Sequence, residues 1–267
     1  MKRFIRTSSL TVALLVVFIL APLGAAHASS LTINYFTIAE TDKDANHLAG
    51  GVYTNEVQNE LGIYGLPALN TAAYGCTSDC YNSSGAPTDV LADGEITYWS
   101  PTLNNGGALG TSDVTFTGSA TVTLPFNVPS NFFPPNGTGS SDYDGFQAAT
   151  LSGILYAPTT EDISFSIGSD DMAFAYLDGQ IVCDDGGVHA STAVACSTGV
   201  PISAGNHTIQ VFFVDINNVQ SGLTFDITTE GVTTNPTVIP EPGTITLLGS
   251  GLLGLAGMVR RRFGKST

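Results

Sequence analysis

Apolar and polar residues alternate with a period of two through much of the chain between residues 120 and 230. Val122, Leu124 and Phe126 fall on one side of one such pattern, and Ile163, Phe165 and Ile167 on one side of another. Ile209, Val211 and Phe213 repeat it, and so do Leu223, Phe225 and Ile227. A side chain on the same face at every second residue is the geometry of a strand with one side buried. Between Tyr176-Leu177 and Gln180-Ile181-Val182 stands Asp178-Gly179, a pair suited to the positive-φ positions of a tight hairpin turn. A helical period is found only over a short stretch near Thr54–Leu61. Frequent strands with Gly, Pro and Asn between them predict an all-β domain, an antiparallel sandwich or flattened barrel.

Residues 29–120 are poorer in pattern and rich in Asn, Gly, Thr and Ala. With no linker setting them apart, they read as loops and shorter strands of the same domain, which spans 29–232. Pro129–Asp144, with its Pro134-Pro135-Asn136-Gly137 run, reads as a long loop. Residues 233–238 are a short polar linker.

Both ends are a different kind of sequence. Residues 1–28 have a basic start, an apolar run from Leu10 to Leu23, and Ala26-His27-Ala28 before Ser29. This is the layout of a secretory signal peptide removed by signal peptidase after Ala28. At the other end, Pro240-Glu241-Pro242 precedes an apolar stretch from Gly243 to Val259, followed by Arg260, Arg261 and Arg262. Two prolines remove amide donors and favour extended backbone before them, so the triplet stays outside the helix that follows. That helix is at the short limit for crossing a bilayer, and the arginines place its end on the cytoplasmic side.

Charge sharpens this division. The chain has 23 Asp and Glu against 8 Lys and Arg, for a net charge of −15. Lys43 is the one basic residue between 29 and 239, a stretch holding 22 of the 23 acids. The middle therefore carries −21, which excludes nucleic acid as a partner, since phosphate binding needs clustered cations. Four cysteines, Cys76, Cys80, Cys183 and Cys196, all lie in the exported part. An even number in an oxidising compartment predicts two disulfides. Three connectivities are open; the local pairs Cys76–Cys80 and Cys183–Cys196 each close a loop rich in Gly, Ser and Thr. The spacings differ from the paired CxxC of zinc ribbons, the competing reading.

The densest acidic segment runs from Ser169-Asp170-Asp171 through Asp178 to Asp184-Asp185-Gly186-Gly187-Val188-His189. Adjacent carboxylates at the end of a strand repel unless a cation or solvent screens them, and calcium takes six to eight oxygen ligands. An ordinary solvated turn is the alternative. His189 reads as a structural side chain of a glycine-rich turn and His207 as a surface residue. No Gly-x-Ser-x-Gly elbow, His-Glu-x-x-His pair or phosphate loop is present.

Two resemblances follow from these residues. The C-terminal stretch, about 239–263, looks like the PEP-CTERM sorting signal of Gram-negative bacteria. That implies recognition by an exosortase, removal of the tail, a transient inner-membrane stage, and delivery to the cell surface or extracellular matrix. The run Phe165–Asp171, then Phe174–Gly179, resembles the PA-fourteen sugar-binding fold. Within that group it looks most like the fibro-slime domain of bacterial surface proteins, whose Asp-x-Gly-Gly-x-His motif is filled by Asp184, Gly186, Gly187 and His189. His47, Gly65-Leu66-Pro67, Tyr98-Trp99 and Phe132-Phe133-Pro134 agree more loosely. The resemblance implies that Asp170 and Asp171, joined by a cis peptide, hold calcium with Asn217 and the carbonyls of Val219 and Ser221, and that the metal holds sugar hydroxyls. Two positions depart from the pattern: Met172 and Ala173 stand where a Trp is usual, and Asp185 where an apolar residue is usual. Tyr143 and Phe146 are other candidate rings.

The expectation is a non-enzymatic, calcium-dependent carbohydrate-binding or adhesion protein meeting extracellular polysaccharide or glycan. The alternatives are a structural matrix protein without a sugar site and an extracellular glycosidase.

Overall fold

The computed structural model describes residues 29–39, 51–70, 89–103, 113–133, 145–196, 199–216 and 220–234. The signal peptide, the sorting segment, Cys76, Cys80, Tyr143, Asn217, Val219 and most of the Pro129–Asp144 loop lie outside them. The described residues form thirteen strands and no helix. These are β1 (Ser30–Ile38), β2 (Val114–Thr123), β3 (Phe126–Val128), β4 (Phe146–Ala157), β5 (Glu161–Ile163), β6 (Phe165–Asp170) and β7 (Met172–Leu177). There follow β8 (Gln180–Asp185), β9 (Thr192–Ala195), β10 (Val200–Ile202), β11 (Gly205–Val214), β12 (Gly222–Ile227) and β13 (Thr233–Thr234).

The larger sheet has the order β2-β1-β4-β11-β7-β8, with β13 beside β4. A second sheet has the order β3-β12-β6-β9, and β10 pairs with β5. Every paired strand is antiparallel. The all-β antiparallel expectation holds, as a sandwich rather than a closed barrel. Alternation explains the layer between the sheets. Leu31 and Ile33 of β1, Ile209, Val211 and Phe213 of β11, and Ala173 and Ala175 of β7 meet Ile167, Leu223 and Phe225 of the second sheet. Each large apolar side chain removed from water in this way contributes about 1.5–3 kcal/mol.

The other face of the larger sheet is also buried. Phe36, Phe146, Phe174, Tyr176 and Phe212 pack there under Val57, Leu69, Ile96, Tyr98 and Trp99, which come from the segments 51–70 and 89–103. Trp99 donates its indole N–H to the Phe213 carbonyl at 2.6 Å, tying this cover to the sheet. The cover explains why β7 is buried at every position.

Three expectations are corrected. Residues 29–120 contain two long strands, β1 and β2, rather than loops and short strands alone. Thr54–Leu61 is not helical, because its backbone is already bonded sideways. Tyr53 bridges Gly186, Val57 bridges Leu69 and Glu60 bridges Gln180, while the Asn59 carbonyl accepts from the Ile181 amide. Those groups are unavailable for i→i−4 bonds. Thr233 and Thr234, assigned to the linker, pair with Tyr156 and Leu155 of β4.

Candidate functional site

The aspartate pair sits where the chain leaves one sheet for the other. β6, in the smaller sheet, ends at Asp170; β7, in the larger, begins at Met172. The crossing from β11 back to β12 runs alongside it, because β11 pairs with β7 and β12 pairs with β6. The register places Val214 opposite Met172 and Gly222 opposite Asp170. The crossing from β8 to β9 shares this end, since Asp185 faces Ala173 and Thr192 faces Ser169. Three sheet-switching segments therefore gather around Asp170 and Asp171.

The peptide between the two aspartates is cis. Both side chains are buried, Asp170 at 6% and Asp171 at 2% exposure. The Ile216 amide donates to Asp171 Oδ2 at 2.9 Å. Ile216, after β11, and Gly222, the first residue of β12, are thus each tied to the pair, Ile216 by its amide and Gly222 by its register. Ser221 is buried; its hydroxyl donates to the Phe132 carbonyl at 2.9 Å, and its own carbonyl accepts the Phe132 amide at 3.0 Å. One lone pair of the Ser221 carbonyl is therefore taken. Gly222 is required sterically, as a Cβ there would strike the Pro129 carbonyl.

Beneath the pair lies Asp185, which is fully buried. Its Oδ2 accepts from the Ser169 amide at 3.1 Å and the Ser169 hydroxyl at 2.7 Å, fixing the residue just before the aspartates. His189 Nε2 stands 3.3 Å from Asp185 Oδ1, and its Nδ1 is 3.1 Å from the Ala190 carbonyl. Burial pulls the imidazole pKa down, but Asp185, the Ala190 carbonyl and the field of Asp171 outweigh it and hold the pKa above its ordinary value. These contacts brace His189 against Asp185 and its own turn. Gly187, at φ 93°, lies against the Gly51 carbonyl, so a side chain has no room in this motif.

Asp184 serves the cover instead. Its Oδ2 accepts from the Val57 amide at 3.2 Å. Burial pushes its pKa up to about 7, against the opposing amide bonds of Val57 and Glu56, and the charge of Asp185 adds to the rise.

Among the described residues no three His, Cys, Asp or Glu side chains converge as a metal site. No Lys or Arg stands among them either. Asp170, Asp171, Asp185 and Asp215 are all buried, and Asp185 faces His189. Adjacent buried carboxylates repel each other, and hard oxygen donors are the set that suits calcium. The residues therefore fit a divalent cation, provided amide and backbone oxygens of the 217–221 segment complete it. Asn217 and Val219, the expected donors, lie outside the described residues.

At the opposite end of β7, about 20 Å away at strand rise, Asp178 and Gly179 form the predicted turn with φ of 51° and 77°. His207, expected on the surface, has a side chain only 10% exposed and an ion pair of 2.6 Å from Nδ1 to Asp178 Oδ2. Its Nε2 is 2.9 Å from the Ser203 carbonyl, and the Ser203 hydroxyl is farther, at 3.5 Å. With Nε2 occupied by a carbonyl it must donate there, so this trio is a clamp and not a nucleophile with its base. Sequence reasoning missed it because Ser203, His207 and Asp178 belong to separate elements. Cys183 and Cys196 form the expected disulfide, joining β8 to the residue after β9.

Residues 238–262 match the PEP-CTERM protein-sorting motif. The chain is an exported cell-surface protein sorted by an exosortase. No curated protein matches the sequence. Among solved structures, the chain is similar to the PA14 sugar-binding domain from an RTX adhesin, at 12% identity and a TM-score of 0.32, over 78% of this chain and 94% of that one. The Epithelial Adhesin 9 A domain from Candida glabrata, in complex with Galβ1-4GlcNAc, gives 12% identity and a TM-score of 0.35, over 80% and 93%. A β-glucosidase from Kluyveromyces marxianus gives 14% identity and a TM-score of 0.28, over 33% of this chain. The chain spans only 12% of that enzyme's length.

Proposed function

We propose that the exported domain is of the PA-fourteen type and binds calcium at Asp170 and Asp171, and carbohydrate through the metal, in adhesion at the cell surface or in the extracellular matrix. The observation that carries this reading is the placing of Ile216 and Gly222 on the pair, by the Ile216 amide on Asp171 and by Gly222 opposite Asp170. Two adjacent carboxylates buried at a sheet crossing favour a bound cation over a solvated turn.

Asp185 supports the same site from below. It holds Ser169, and through it the start of the Asp170–Asp171 turn, so that the carboxylates are set before a metal arrives. This chain's own residues do the positioning; calcium would supply charge and coordination positions for vicinal hydroxyls.

Thermal or urea unfolding with calcium and with chelator tests the metal. Saturation at about a hundred times Kd stabilises a fold by about 2.7 kcal/mol, and Asp171→Asn abolishes that gain. Identical unfolding in calcium and chelator ends the proposal. A glycan array on the calcium-loaded protein tests the sugar.

A second reading, a structural matrix protein without a sugar site, is favoured by one observation. Met172 and Ala173, at the position of the usual Trp, are 2% and 0% exposed, so the start of β7 presents no ring to a ligand. Calcium-dependent stability with an empty glycan array selects this reading.

A further inference from the structure

The sandwich has four outer strand edges, and three are blunted. β8 is covered by the 51–61 segment, through the Tyr53–Gly186 and Glu60–Gln180 bridges and the Ile181 amide on the Asn59 carbonyl. β3 and β9, at the two sides of the smaller sheet, have three and four residues. Short edges offer little to an incoming strand. β2 differs: it runs ten residues, Val114–Thr123, and among the described residues no strand lies outside its Thr115–Thr123 part.

Its sequence, VTFTGSATVT, contains no charged residue and no proline. Both are the usual protections of an open edge. Thr, Val and Phe are strand-forming residues, and Phe116 is 50% exposed. One protective device is present, a bulge at Thr117, where the register steps from Tyr35–Gly118 to Phe36–Phe116. It leaves Gly118–Thr123 as a regular stretch with Ser119, Thr121 and Thr123 exposed.

We propose that β2 is a self-association edge, at which a second copy of this chain pairs antiparallel, β2 to β2. Charge selects the occupant. Two copies of a chain segment carrying 22 acids and one lysine repel wherever their carboxylates meet, and β2 is a ten-residue edge without a carboxylate. Two copies related by a two-fold axis normal to the sheet present the same edge in opposite directions, so the pairing is antiparallel. Facing threonines give favourable cross-strand pairs. Sorting to one surface raises the local concentration of copies, which suits a contact of a few backbone bonds. The contact is independent of the proposed metal.

Sedimentation of the sorted chain recovered from the cell surface tests this, together with hydrogen exchange at low and high protein concentration. The expected result is a reversible dimer, strengthened by salt and unchanged by chelator, with slowed exchange at Gly118–Thr123. The double variant Ser119→Lys, Thr121→Lys lowers the net negative charge, so general repulsion falls, yet it weakens the dimer by at least about ten-fold. A monomer at every concentration overturns the proposal, as does association without protection of Gly118–Thr123. Loss of the dimer with chelator assigns association to the metal site and equally overturns it. The exchange measurement needs no variant, so a misfolded double variant does not shield the idea.

Discussion

At the scale of single residues, protons and buried charge decide most of what is distinctive. Asp178 and His207 clamp the β7–β8 turn to the start of β11, with the Thr208 amide adding a 2.7 Å bond to Asp178. The bond from Asp178 raises the His207 pKa, against partial burial. Burial tends to raise that of Asp178, but the bonds from His207 and Thr208 prevail and lower it. A raised histidine stabilises the fold fully below its ordinary value and loses that contribution as pH climbs through the folded value. A lowered aspartate loses its contribution as pH falls through its own. The clamp is therefore complete between about pH 4 and 6.5. Because Asp178 is half exposed, His207→Gln costs only about 0.5–1 kcal/mol at pH 6. Asp184, like His207 and unlike Asp178, makes stability fall as pH rises, with more weight. Its folded pKa of about 7 lies above the ordinary 3.8, so the folded state holds an extra proton between them and stability falls as pH rises across that window. Urea unfolding from about pH 5 to 8 should show this decline. Asp184→Asn, which retains an acceptor for the Val57 amide, removes most of the slope and gains on the order of 2 kcal/mol at pH 8. A slope unchanged in the variant would refute the assignment.

At the scale of elements, legibility tracked how many faces of a strand are buried. β6, β11 and β12 carry alternating residues that pack between the sheets, and their period of two shows this directly. β7, Met172–Leu177, is buried throughout and has no alternation; only the Asp178-Gly179 turn marked its end. β1 had a readable signal in Leu31, Ile33 and Tyr35, which point into the core. It was obscured because the opposite face of the same strand becomes apolar at Phe36 and Ile38, where the cover packs, and the core face ends in a buried Thr37. The cover itself left no periodic trace. It is built from backbone bridges and side chains such as Glu95, whose Oε1 accepts the Tyr64 and Leu66 amides at 2.8 and 3.1 Å. The aspartate site was legible as a motif, yet its assembly depends on the register of β12 against β6, which composition does not encode. The Cys183–Cys196 bridge acts at this scale too, linking a strand of the larger sheet to the end of β9, which pairs only with β6. Closing a loop of this length stabilises by about 3 kcal/mol in the chain-entropy account. Cys183→Ser with Cys196→Ser should lower stability by about 2–3 kcal/mol, with β9 amides exchanging first. Uniform loss across all strands would argue against so local a role.

At the scale of the molecule, the chain is two basic ends around an acidic middle, and each part meets a different electrostatic demand. The sorting motif spans 238–262 and contains three of the chain's arginines. Pro240→Ala with Pro242→Ala removes the two prolines of the motif; the expected outcome is a chain retained in the membrane fraction at full tail mass, read by intact-mass spectrometry. The acidic middle then has to stay folded without those cations. Its charges divide into exposed carboxylates, such as Glu60 and Asp93, and buried ones, such as Asp170, Asp171, Asp185 and Asp215. Mobile salt acts on the first group, because the screening length falls from about 30 Å at 0.01 M to about 10 Å at 0.1 M. It scarcely reaches the second. Raising sodium chloride over that range should therefore increase the urea midpoint without altering the slope of the transition. The proposed calcium site adds a separate increment that persists at high salt, since a coordinated ion neutralises buried carboxylates that screening leaves untouched. Asp171→Asn should keep the sodium chloride response and lose the calcium increment. If sodium chloride alone reproduces the whole calcium effect, calcium is acting only as a screening ion and the aspartate pair holds no metal.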